Sequence, residues 1–120
     1  MTLKLKITIG TQTFSATFLN NQTALAIKSK LPFELKMIEL NGNEKYAELN
    51  TRMPINPSNP RVIQIGDLML FGDQTLVLFY KSFTTSYNYT RIGRIDDTIN
   101  LQNALGANNI NVRFELDTNK

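Results

Sequence analysis

At 120 residues and 13.6 kDa, with 42% hydrophobic and 19% charged residues, the chain is sized for one ordinary domain and is too apolar to stay disordered. Its 13 basic and 10 acidic side chains leave a net charge of +3 without any basic run, so specific nucleic-acid binding is not expected. Cysteine and histidine are both absent, which excludes disulfides, thiol nucleophiles, the usual zinc sites and Ser-His-Asp catalysis.

The amino terminus, Met1 to Lys6, lacks the apolar centre of a signal peptide, and no stretch is long enough to span a membrane as a helix. The expectation is a cytoplasmic protein as the chain stands, or an exported one if a leader has been removed. Leu3, Leu5, Ile7 and Ile9 alternate with Lys4, Lys6 and Thr8, a period of two that predicts a strand with one face in a core. Phe14, Ala16 and Phe18 repeat the pattern after the turn at Gly10–Gln12, so the two segments form a predicted hairpin. Asn20 or Asn21 is placed to cap a short helix from Gln22 to Lys30, which Pro32 ends. Strand alternation resumes at Phe33, Leu35 and Met37, and Asn41-Gly42-Asn43 signals a turn before a short strand at Glu44 to Leu49.

From Asn50 to Arg61 the prolines at 54, 57 and 60 predict a stiff surface loop. Val62–Ile65, Leu68–Phe71 and Leu76–Tyr80 then read as strands, the last two apolar on both faces and therefore central. Tyr87 and Tyr89 lie among hydroxyl and amide side chains ahead of Arg91-Ile92-Gly93-Arg94-Ile95. Asp96 or Asp97 is expected to cap a second helix carrying Ile99, Leu101, Ala104 and Leu105, with Gly106 as its stop. Ile110, Val112, Phe114 and Leu116 close the chain as a strand. With no repeat and no boundary, residues 1–120 are read as one mainly β domain. Eight or nine short strands with apolar faces predict a closed barrel of about eight mostly antiparallel strands with two short capping helices, since closure removes exposed sheet edges.

Two stretches resemble cyclophilins. Val62-Ile63-Gln64-Ile65-Gly66-Asp67 is similar to the segment in which an apolar pair precedes Gln-Gly-Gly-Asp, and Arg91-Ile92-Gly93-Arg94-Ile95 is similar to the Val-Phe-Gly-Lys-Val strand before the second helix. Leu40–Tyr46, Gly66–Leu70, Leu76–Tyr80 and Ser86–Ile95 further resemble a bacterial and archaeal family of small cyclophilin-like proteins. The resemblance covers nearly the whole chain. What it implies is a fold, because that family has no generally established activity.

Carried over by resemblance, Gln64 matches the glutamine of the proline-binding groove, but its neighbouring glycine is Ile65 and the groove phenylalanine falls at Arg61. Tyr89 falls at the groove histidine. There is no Trp, and the arginine that polarises the prolyl amide lands near Asn56, with Arg52 and Arg61 as displaced candidates. Arg52, Arg61, Gln64, Phe79, Tyr87, Tyr89 and Arg91 are therefore the candidate binding groove, with no catalytic residue and no metal or cofactor assigned. The plain alternative is that Phe79 fills the core and the tyrosines cover it with their hydroxyls in water. The expected function is a binding module for a small molecule or an extended, proline-containing peptide. The rival is a peptidyl-prolyl isomerase with a rebuilt groove, whose standard activity is expected to be absent or weak.

Overall fold

Residues 3–117 are described by a computed structural model, so Met1 and Thr2, which open the amino-terminal reading, lie outside the described residues. The elements in chain order are β1 (Leu3–Ile9), β2 (Gln12–Phe18), α1 (Gln22–Lys28), β3 (Phe33–Leu40), β4 (Glu44–Glu48) and β5 (Val62–Ile63). They are followed by β6 (Asp67–Phe71), β7 (Thr75–Phe79), β8 (Phe83–Thr84), β9 (Thr90–Ile95), α2 (Leu101–Leu105) and β10 (Ile110–Leu116). Eight strands close a barrel in the order β1-β10-β3-β4-β7-β6-β9-β2, antiparallel at every seam described, while β5 and β8 pair as a separate ribbon. The expected architecture is the one found.

Period-two alternation sets the inward face. Leu5, Ile7 and Ile9 of β1, Leu68 and Leu70 of β6, Leu76 and Leu78 of β7, and Val112 and Phe114 of β10 are all buried in one apolar cluster. The sequence places the helices at opposite ends. α1 joins the end of β2 to the start of β3 and adds Ala24 and Ile27 to the cluster, whereas α2, between β9 and β10, adds Leu101 and Leu105.

Local chemistry explains most of the turns. Asn41 and Gly42 both take positive φ (57° and 67°) in the three-residue connection between Leu40 and Glu44, and the Asn43 N–H donates to the Leu40 carbonyl at 3.2 Å to close the turn. Gly93 allows β9 to approach β2, since a Cβ there would lie 2.3 Å from the Thr17 carbonyl oxygen. The Asn21 side chain caps α1 by accepting the Ala24 N–H at 2.8 Å, and the helix ends at Lys28, two residues short of the expected Lys30.

Three sequence expectations need correction. The strand read over Val62–Ile65 stops at Ile63, because Gln64 turns back and its N–H donates to the Asp67 carboxylate at 2.9 Å. The second helix starts after Asn100, and no side chain caps it. Asp96 is instead tied to Lys4 (2.8 Å) and Thr17 (2.7 Å), and Asp97 accepts the Ile99 N–H, which leaves Ile99 outside the helix and 84% exposed.

Among the described residues, one charged side chain faces into the barrel. Lys45 of β4 is fully buried at the α2 end, where its ammonium donates to Glu39 (2.8 Å) and to the carbonyls of Gly106 (2.8 Å) and Asn108 (2.7 Å). All three protons are used. The Tyr80 hydroxyl donates to the same Glu39 oxygen, and the Lys45 nitrogen lies 5.2 Å from the Tyr80 ring centre. The network ties α2 and the loop after it to the barrel wall.

Candidate functional site

β6 and β7 bury both of their faces. Leu68, Leu70, Leu76 and Leu78 point into the barrel, while Met69, Val77 and Phe79 point outward and are nevertheless buried with Ile63 and Tyr89 in a second apolar cluster. The cover comes from β5, β8 and residues 87–89, which fold over the outer wall.

A ladder of aromatic rings runs across this cover. Phe79 packs against Phe83 (centroids 5.7 Å apart) and meets Tyr89 edge-on (5.6 Å, 86°). Tyr89 then packs against Phe71 (5.7 Å), and Phe71 meets Tyr87 edge-on (6.1 Å, 84°). Edge-to-face contacts at these separations are the favoured arrangement of aromatic pairs. The Pro-rich loop holds the ladder in place, because Ser58 and Tyr89 exchange both backbone hydrogen bonds (3.0 and 2.9 Å) and the Thr90 hydroxyl accepts the Asn56 N–H at 3.1 Å.

Between this ladder and β4 lies a groove of about 390 Å³. Its aromatic wall is Phe71, Tyr87 and Tyr89, its floor is Thr75 and Val77, and its opposite wall is the outward face of β4: Glu44, Tyr46 and Glu48. Leu40 and Asn41 form the rim at the β3–β4 turn. The size and the mix of aromatic surface with a few polar groups are those of a small-molecule or peptide site.

The groove's charges are all negative. Burial, and then the charge of Glu39, holds the Glu44 carboxyl above its usual range. Burial also raises the Tyr89 hydroxyl, with the Glu44 charge adding to it and a hydrogen bond to Thr85 opposing it. The Glu48 carboxylate accepts the Thr75 hydroxyl at 2.6 Å.

The seven candidate residues are not brought together. Tyr87, 63% exposed, and Tyr89, 5% exposed, line the groove, and Phe79 lies fully buried beneath Tyr89. Arg91 faces a different cavity of about 580 Å³, between the start of α1 and Pro54–Ser58. Arg52 is in the loop, 80% exposed and 3.8 Å from Asp73. Arg61 is exposed with a positive φ of 67°, and Gln64 is exposed in the turn before β6.

Sequence reasoning passed over Glu44, Tyr46, Glu48 and Phe71. The signal for three of them was present, since alternation puts Glu44, Tyr46 and Glu48 on one face of β4. That face reads as a solvated one until residues 87–89 are seen across from it.

Residues 7–115 match the model of a family described as the cyclophilin-like family. No curated protein matches the chain.

Proposed function

The chain belongs to the cyclophilin-like family, and on that footing we propose that it is a binding module whose ligand, a small molecule or an extended peptide, occupies the groove between β4 and the aromatic ladder. The observation that carries this reading is a second buried apolar cluster outside the barrel, which supports a groove walled by Phe71, Tyr87 and Tyr89.

The isomerase alternative requires an arginine against the substrate amide. Arg52, Arg61 and Arg91 do not line this groove, and the three side chains on its β4 wall are two carboxylates and a phenol. Stabilising a rotating amide oxygen is not what carboxylates do, which favours binding without catalysis.

The test is titration of isotope-labelled protein with a proline-containing tetrapeptide and with a set of aromatic and amine fragments, followed by amide chemical shifts. Saturable shifts confined to residues 44–48, 71–77 and 87–89 are expected. Shifts centred on residues 21–23, 54–58 and 91, or no saturable response to any probe, would overturn the assignment. A cis-to-trans assay on the same peptide is expected to show no turnover above background; strong turnover lost in Arg52→Ala or Arg61→Ala would replace the module with an enzyme.

A further inference from the structure

The groove's wall carries a charge pattern that selects its ligand. In a chain of net charge +3, the groove is lined by two carboxylates and by no Lys or Arg. The Glu44 carboxylate makes no hydrogen bond or ion pair among the described residues, and the side chain is partly buried. An unpaired carboxylate withdrawn from water is costly unless a cation comes to it. Its nearest acidic neighbour in the groove, Glu48, sits four positions along the same strand, about 13 Å away at the usual strand rise. The two cannot chelate one metal ion. Between them stands Tyr46, and across from them stand Tyr87, Tyr89 and Phe71, whose π faces attract diffuse organic cations.

We infer that this groove binds a small organic cation, an alkylated ammonium, seated among Tyr46, Tyr87 and Tyr89 with Glu44 as its counter-ion. The inference rests on the groove being the binding site and adds the chemical class of its ligand. The volume of about 390 Å³ suits a molecule of that size. Charge complementarity distinguishes it from neutral ligands of the same shape, because burial strengthens the Glu44 attraction relative to water. A rise in ionic strength weakens the complex through screening of the partly open site.

The experiment compares two isosteric probes, choline and its neutral carbon analogue 3,3-dimethylbutan-1-ol, by calorimetry and amide shifts on the full chain. Choline is expected to bind roughly tenfold more tightly than the alcohol, a margin typical of cation–π pairing with a counter-ion. Glu44→Gln is expected to remove most of that margin while leaving the alcohol's affinity within about twofold. Tyr87→Leu, at a position 63% exposed, is expected to weaken choline and spare the overall fold. Equal binding of both probes in the groove would overturn the inference and leave the binding site standing. Shifts from choline outside residues 44–48, 71–77 and 87–89, or an affinity unchanged by Glu44→Gln, would also overturn it. Failure of either probe to bind, alongside binding of the peptide there, would assign the groove to a different ligand class.

Discussion

Tyr89 stands edge-on to Phe79, their ring centres 5.6 Å apart at 86°, so the residue that walls the groove is braced by one that belongs wholly to the second apolar cluster. Phe79 also braces Phe83 of the covering ribbon. Its truncation should therefore act twice. Phe79→Ala is expected to cost about 3 to 5 kcal/mol in denaturant unfolding and to weaken any groove ligand. Tyr89→Phe, which keeps the ring, is expected to stay within about 1.5 kcal/mol of the parent. Equal losses in the two variants would show that the hydroxyl, not the ring packing, holds this wall.

Lys45 and Glu39 form the other test of packing. Because the Lys45 ammonium is fully enclosed and shared with the Gly106 and Asn108 carbonyls, removing it takes a donor from both carbonyls and the counter-charge from Glu39, which keeps only its Tyr80 and Gly42 donors. Lys45→Ala is expected to lower stability by about 3 to 5 kcal/mol. The same variant should speed amide exchange around residues 106–108 before the rest of the barrel responds, since those carbonyls lose their tether. Uniform exchange across the chain would mean the network carries no local role.

The Tyr80 phenol is pushed up to about 12 by burial and by its hydrogen bond to Glu39. A raised phenol pKa favours the protonated form in the fold, so the stabilisation is complete below pH 10 and is lost as pH rises from 10 through 12. Ultraviolet titration should show one tyrosine, absent in Tyr80→Phe, ionising last. If the late-titrating signal persists in Tyr80→Phe, the assignment is wrong.

Glu44 gives the opposite lesson at acid pH. Burial, and then the Glu39 charge, raises its carboxyl above the usual range, so the ionised form at neutral pH costs the fold stability that the protonated form does not. Glu44→Gln is expected to raise Tm at pH 7 by on the order of a degree or two. The gain should disappear as pH falls through the folded pKa towards the unfolded value near 4.5. A residue that destabilises its own fold at neutral pH is what a ligand-pairing role would leave behind; a drop in Tm at pH 7 for Glu44→Gln would remove that argument.

Much of the scaffold was legible without coordinates. The alternation in Leu3–Ile9 and Ile110–Leu116 fixes which side chains enter a barrel, and Asn41-Gly42 dictates a tight turn because both residues tolerate positive φ. The doubly apolar strands at Leu68–Phe71 and Leu76–Tyr80 announced burial on both faces, and both faces are buried except at Phe71, which is exposed at the end of β6. The α2 start was misplaced because Asp96 and Asp97 are good caps in isolation, yet Asp96 is held by Lys4, 92 residues away.

The groove was the part that only tertiary structure decided. Periodicity says which side of a strand faces away from the barrel; it does not say what comes to lie above that side. Glu44, Tyr46 and Glu48 look like a solvated face on their own, and become a wall because Tyr87 and Tyr89, some forty residues on, are brought across from them. That placement depends on the Ser58–Tyr89 backbone pairing and on the Phe71, Phe79 and Tyr89 ring contacts. Those are contacts between segments distant in sequence, formed by packing after the strands exist. Local pattern carries the strands, turns and core; long-range packing carries the groove.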